Sequence, residues 1–266
     1  MKDKVSITID AELLRGLDKL VDHIYIKNRS HAVEYLVRKS LGGSKSAVIL
    51  AGGPSEMLRI SKTELRPTAK LRGVPLIELQ LRKLAENNFN SIFLIGRKEV
   101  LSTVFEGIGS GERIGVKVNY IEEQESSGTA DSLRLLKGKV NGPFLVVFCD
   151  ILFDKMNINE LWESHVKHNS IATLILTTSP TPSKKGIVKL EGTKILDFTQ
   201  KPKHADVYIG FSSIFVAEPK IFDFEGASLE EDVFPRLAKQ GSLGGHVSSE
   251  KEVHIHSKED IKKCLP

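Results

Sequence analysis

The feature that most constrains this chain is an apolar, β-favouring run that ends in paired glycines. Ala47-Val48-Ile49-Leu50 leads straight into Ala51-Gly52-Gly53. A buried strand running into a glycine turn brings backbone N–H groups close to whatever sits at the strand's C-terminal edge, most often a phosphate. A helical pattern starts near Pro75, with Leu76, Ile77, Leu79, Leu81 and Leu84 apolar. Beyond it the alternation continues. Residues 91–96, 116–121, 144–149 and 172–177 read as strands, and residues 98–106 and 158–168 as helices between them. This order predicts an α/β domain with a parallel or mixed sheet covered by helices.

A chain of 266 residues holds one large domain and a small one. Its net charge of +4 is too slight to point to a polyanionic partner by itself. There is no apolar run near 18 residues and no signal-peptide core after Met1, so the expectation is a cytoplasmic protein with no membrane partner. The two cysteines, Cys149 and Cys264, have neither metal nor redox spacing, and Cys149 reads as a buried thiol.

The N-terminal stretch has a different pattern. Lys4-Val5-Ser6-Ile7-Thr8-Ile9 alternates with period two, as a half-buried strand does. Asp10 can cap a helix carrying Leu13, Leu14, Leu17, Leu20, Val21 and Ile24 on one face. Asn28 or Ser30 can cap a second helix, with Ala32, Val33, Leu36 and Val37 inward and Gly42-Gly43 at its end. Forty residues of strand, helix and helix cannot bury their own core, which invites an intertwined dimer. Residues 3–42 resemble the ribbon-helix-helix DNA-binding family. The resemblance implies a ribbon that places Lys2, Lys4, Ser6 and Thr8 in the major groove of double-stranded DNA, with Asn28, Arg29 and Ser30 on a phosphate.

Residues 47–260 resemble the sugar-1-phosphate nucleotidyltransferases. The match rests on Leu50-Ala51-Gly52-Gly53, Gly73, Pro75-Leu76-Ile77, Gly128-Thr129-Ala130, Asp150, Phe198-Thr199-Gln200-Lys201-Pro202 and the late stretch at residues 228–237. It implies nucleotide binding by Leu50, Ala51, Gly52, Gly53, Glu125, Gly128, Thr129 and Asp150, sugar-phosphate binding by Lys201, and Mg²⁺ on Asp150. The family's charged positions are altered. Its G-T-R falls on Ser55-Glu56-Met57, the lysine of P-K-P on Arg66, N-A-G on Phe211-Ser212-Ser213, and the second metal aspartate on His254. Met57 carries no charge, Arg66 offers a fork in place of an ammonium, and an imidazole is a poor Mg²⁺ ligand. Only Arg66 is then left as a catalytic candidate. The pair His254 and His256 shares one face of a strand, which suits a transition metal.

Together these readings predict a ribbon-helix-helix domain at residues 1–43, a linker at 44–46, and a Rossmann-like nucleotidyltransferase domain with a mixed, mostly parallel sheet at 47–266. The function expected is that of a dimeric or higher-order, sequence-specific DNA-binding regulator. Its large domain would bind a nucleotide or sugar nucleotide, or mediate assembly. Two alternatives stand beside it: an active sugar-1-phosphate nucleotidyltransferase dimerised by its N-terminal domain, and an architectural DNA-coating protein.

Overall fold

The computed structural model describes residues 5–21, 26–41, 45–62, 64–125, 127–204 and 206–264. The chain divides into two compact units, Met1–Gly43 and Ser44–Pro266.

In the first unit, α1 (Ala11–Leu20) starts at Asp10, whose carboxylate accepts the Glu12 N–H, and α2 (Arg29–Leu41) follows. The second cap is Asn28, whose side-chain oxygen accepts the His31 N–H at 2.9 Å. Leu17 and Ala32 are buried between the helices, but Leu36 and Val37, expected inward, are exposed. The expected strand is not formed: residues 5–10 have no regular structure, because a strand needs a neighbour to complete its hydrogen bonds. Lys2 and Lys4 lie outside the described residues. Val5 and Ile7 are left 76% and 60% exposed.

The second unit is an α/β sandwich. Its elements run β1 (Lys45–Ala51), a ribbon of β2 (Lys70–Leu71) and β3 (Val74–Pro75), α3 (Leu76–Glu86), β4 (Phe89–Gly96), α4 (Lys98–Ile108) and β5 (Lys117–Glu122). Then come α5 (Thr129–Arg134), β6 (Phe144–Phe148), β7 (Ile151–Leu152), α6 (Ile158–His168), β8 (Ala172–Thr178), β9 (Gly186–Glu191) and β10 (Lys194–Gln200). The chain closes with β11 (Ile209–Ala217), α7 (Phe234–Lys239), β12 (Leu243–Val247), β13 (Val253–His254) and α8 (Lys258–Lys263). Lys45 and Ser46, expected in a linker, are the first residues of β1.

Among the described residues nine strands form one sheet in the order β5-β4-β1-β6-β11-β8-β12-β10-β9. β1 is parallel to both β4 and β6, and β4 to β5. The other half is mainly antiparallel: β11 runs against β6 and β8, and β10 against β9 and β12. The sheet is therefore more evenly mixed than the strand-helix alternation suggests. Each face carries its own core. Ile49, Leu81, Leu94 and Val147 lie in one, and Val48, Leu133, Val146 and Phe234 in the other. This is why β1 reads as an unbroken apolar run: both of its faces are covered.

Candidate functional site

From β1 the chain moves to one side of the sheet, through β4 to β5, and returns on the other side as β6. At such a reversal the loops leaving the strands' carboxyl ends part and form a crevice. Two segments emerge there, Ala51-Gly52-Gly53 and Cys149-Asp150. The last rung between them is the Cys149 N–H donating to the Leu50 carbonyl at 3.0 Å. Gln80, buried on the apolar face of α3, donates to the carbonyls of Phe148 (2.9 Å) and Ile151 (2.7 Å) and clamps the turn that carries Asp150. A glutamine among Leu76, Ile77, Leu81 and Leu84 was the available signal, since a buried amide must find partners.

The glycine turn holds a carboxylate from its own chain. Glu123 is 1% exposed. It accepts the Gly53 N–H at 2.7 Å and the Ser132 hydroxyl, and Arg97 Nε lies 4.0 Å away. A Cβ on Gly52 would stand 2.6 Å from Glu123 Oε2. A side chain at Gly52 would therefore have to push the Glu123 carboxylate and the Ser132 hydroxyl out of their places. Glu125, the expected contact of this loop, is exposed. The chain turns at Gln124, whose carbonyl is taken by Arg97, and carries Glu125 outward.

Gly128-Thr129-Ala130 opens α5 against a second segment. The Ala130 N–H donates to Ala227 O at 2.8 Å, and Thr129 Oγ1 accepts the Leu229 N–H at 2.9 Å while donating to Glu230 at 2.7 Å. A Cβ on Gly128 would lie 2.6 Å from the Ala227 carbonyl oxygen.

Asp150 stands at the centre of a charged group. Its Oδ2 accepts from Arg66 Nη1 at 3.0 Å and faces His256 Nε2 at 3.0 Å. Burial alone would raise the Asp150 carboxyl. The His256 hydrogen bond and the charges of His254, His256 and Arg66 outweigh that and hold it below the ordinary carboxylate range. His254 ends β13, which pairs antiparallel with β7, His254 opposite Ile151, and His256 lies two residues beyond the strand. His254 Nε2 lies 3.2 Å from Glu252 Oε1, and Glu252, with a fully buried side chain, is also paired with Lys185. Beside Asp150, burial pushes the Cys149 thiol well up, as expected of an inert interior cysteine.

The remaining expected positions fall around this centre. Ser212 is buried, its hydroxyl donating to Met156 Sδ at 3.8 Å. Ser213 adopts a left-handed conformation (φ 58°) where the β11–β8 register shifts. Lys201 is exposed, and its backbone N–H donates to the Lys185 carbonyl at 3.0 Å. Met57 is 69% exposed.

The family model described as nucleotidyl transferase matches residues 46–244. The chain belongs to the nucleotidyl transferase family. A mannose-1-phosphate guanyltransferase of Yarrowia lipolytica is 32% identical over 210 residues, covering 74% of this chain and 56% of the relative. The mannose-1-phosphate guanylyltransferase catalytic subunit beta of Dictyostelium discoideum is 29% identical over 210 residues, covering 74% and 57%. The chain thus spans a little over half the length of these relatives. Among solved structures, a Bacillus anthracis chain named as a glucose-1-phosphate thymidylyltransferase, in complex with sucrose, aligns with a TM-score of 0.74 at 22% identity. It covers 83% of this chain and 93% of that one.

These matches overturn the expected DNA-binding regulator. The relatives are named for sugar-phosphate nucleotidyl transfer, so double-stranded DNA as the main partner, transcription regulation and the DNA-coating alternative all fall. In the first unit the structure places the expected contact residues as follows. Arg29, assigned to a phosphate, forks onto Asp18 through Nε (2.6 Å) and Nη2 (2.9 Å). The Asn28 side chain is used as the helix cap, Ser30 lies inside α2, and Ser6 and Thr8 sit in a segment without a strand. No helix among the described residues is long and apolar enough to cross a membrane.

The family implies Mg²⁺, and the donor set does not fit it. Mg²⁺ asks for near-octahedral oxygen ligands. Here one carboxylate is flanked by two imidazoles, nitrogen donors that Mg²⁺ takes poorly.

Proposed function

We propose that the large unit transfers a nucleotidyl group from a nucleoside triphosphate to a sugar 1-phosphate, with release of pyrophosphate. A sugar-phosphate oxygen attacks the α-phosphorus, and the bond to the bridging oxygen of the leaving pyrophosphate breaks. Two anions must approach one another, so the reaction depends on positioning and on positive charge at the α-phosphate.

The observation that carries this reading is Arg66. Its guanidinium is held by Asp150 at the mouth of the crevice, while its Nε–H is buried and without a partner. A buried charged donor with nothing to bond suits an anionic oxygen, and the planar fork can engage a phosphate beside the aspartate. Gly52, Gly53 and the Gly128-Thr129-Ala130 loop supply the walls for the nucleotide. Lys201 and Lys185 supply cationic side chains for the sugar phosphate. Glu123 is a positioning residue that holds the glycine turn.

The test is release of pyrophosphate from each nucleoside triphosphate with a panel of sugar 1-phosphates, beginning with GTP and mannose 1-phosphate because of the relatives' names. At least one pair should turn over, and Arg66→Ala should slow it on the order of 10²–10³-fold. Nucleotide binding with no turnover of any pair would overturn the proposal and leave the domain a receptor.

For the first unit we infer a ribbon-helix-helix-like module that joins two copies of the chain. The exposed, apolar Val5 and Ile7 ahead of α1, with Leu13 63% exposed on it, support this. Deleting residues 1–43 should convert a dimer to a monomer by light scattering. A truncated protein that remains dimeric would place the interface on the large unit.

A further inference from the structure

The residues that make the crevice unsuited to Mg²⁺ compose a site for another kind of ion. We propose that Asp150, His254 and His256 form a binding centre for a borderline divalent transition-metal ion, of which Zn²⁺ is the reference case. The inference rests on these side chains alone and stands whether or not nucleotidyl transfer occurs.

One carboxylate oxygen of Asp150 and one ring nitrogen of each histidine lie within 4.8 Å of one another. Ligands about 2.1 Å from a tetrahedral Zn²⁺ are roughly 3.4 Å apart. The cluster must therefore close by little more than an ångström. His256 is the member with room to move, its side chain 51% exposed against 33% for His254 and 15% for Asp150. The backbone already fixes the spacing. Ile255, between the two histidines, is fully buried beside Ala69, Leu71 and Leu76, and its N–H donates to the Asp150 carbonyl at 2.8 Å. With Ile255 turned into the core, both neighbouring imidazoles are presented on the opposite side, where Asp150 stands.

The surroundings fit metal ligation as well. A ligating histidine ordinarily donates its second ring nitrogen to a carboxylate, which fixes its tautomer. His254 has that partner: Nε2 lies 3.2 Å from Glu252 Oε1, which leaves Nδ1 with the free lone pair. Glu252 Oε2 is buried and has no hydrogen-bond partner, while Oε1 is shared between His254 and the Lys185 ammonium. Imidazole nitrogen with carboxylate oxygen selects zinc, cobalt, nickel or copper over magnesium. Three protein ligands leave a fourth position open for water or an anionic oxygen.

The experiment uses the full chain, freed of metal with a chelator and titrated with Zn²⁺, Co²⁺ and Mg²⁺ by calorimetry. Co²⁺ binding is also followed by its visible ligand-field absorption. Zn²⁺ and Co²⁺ should bind once per chain and much more tightly than Mg²⁺, and Zn²⁺ should bleach the cobalt bands. Substituting either imidazole (His254→Asn or His256→Asn) should weaken Co²⁺ binding at least ~10-fold and change the bands, and Glu252→Gln should cost ~10–100-fold. The distant, exposed His168→Asn should change nothing. Mg²⁺ binding as tight as Zn²⁺, or cobalt bands unaltered in the His254 and His256 variants, would overturn the assignment. Should a variant not fold, the imidazole nitrogen signals of the wild-type chain decide. Both His254 and His256 must shift with Zn²⁺, and failure of either to respond refutes the centre.

Discussion

Replacing Gly128 by alanine tests how the loop around the crevice is held. Gly128 has an extended backbone (φ 168°), a conformation alanine adopts freely, so the whole effect comes from space. The added Cβ would stand 2.6 Å from the Ala227 carbonyl oxygen and 3.0 Å from its carbon. An ordinary contact is about 3.4 Å or more, so the two backbones must part by roughly 0.8 Å. Residues 227–230 cannot easily yield, because Asp232 Oδ2 accepts the N–H groups of Ala227 and Ser228 at 2.8 and 2.9 Å. Parting takes the Ala130 N–H···Ala227 O and Leu229 N–H···Thr129 Oγ1 bonds out of range, about 1 kcal/mol each. Residual overpacking adds about 1–3 kcal/mol. The expected loss is therefore about 3–5 kcal/mol, read as a shifted urea midpoint at unchanged m-value, with Tm lowered by roughly 6–20 °C. Gly142→Ala, where a Cβ meets nothing within 4 Å, is the control and should stay within about 0.5 kcal/mol of the wild type. A Gly128→Ala loss below about 1 kcal/mol would show that the loop slides freely past residues 227–230 and that this account of its rigidity is wrong.

Gln80→Leu keeps the volume on α3 but leaves the Phe148 and Ile151 carbonyls without their donor. It should destabilise the large unit by about 1–3 kcal/mol in urea unfolding and weaken Zn²⁺ or nucleotide binding further by loosening the Asp150 turn. Unchanged binding in a folded variant would mean the turn holds itself. Asn28→Ala removes the α2 cap and should lower the stability of the first unit by about 1 kcal/mol, seen as lost helicity by circular dichroism in a fragment of residues 1–43 or the full chain.

Legibility in the sequence followed the strength of the local period. β1, β4, β6 and β8 are apolar runs buried on both faces, and α3, α4 and α6 keep a helical stripe, so each could be read from the residues. β12 could not, because Leu243-Gly244-Gly245-His246-Val247 carries two glycines that ordinarily mark a turn. These glycines serve close packing instead: a Cβ on Gly245 would meet Leu176 and Leu190. β11 was hidden by its bulge at Ser212 and Ser213, which breaks the alternation. The N-terminal strand was readable as a pattern, but pairing is a property of two segments and one chain offers no second. At the site, Asp150 and Arg66 were visible from their place in a motif. Glu123 and Glu125 are alike in the sequence, and only the bend at Gln124 decides which of the two carboxylates turns inward. Gln80 on an apolar helix face signals an amide in need of partners, but not which ones, because the carbonyls it holds are about seventy residues away.

The two-residue pairing of β13 with β7 also bears on how the molecule opens. It joins residues about a hundred positions apart through a short ladder, and the Ile255 N–H to Asp150 bond extends it by one rung. The nine-stranded sheet does not depend on it. Excursions in which residues 253–256 detach therefore need far less free energy than global unfolding, and amide exchange in this segment should proceed by such sub-global openings. A protein with an intact far-ultraviolet spectrum and a normal melting curve can then spend part of its time with Asp150 parted from both imidazoles. Whatever binds at that position draws its affinity partly from closing the segment, and its occupancy is legible in the exchange rate of one amide, that of Ile255.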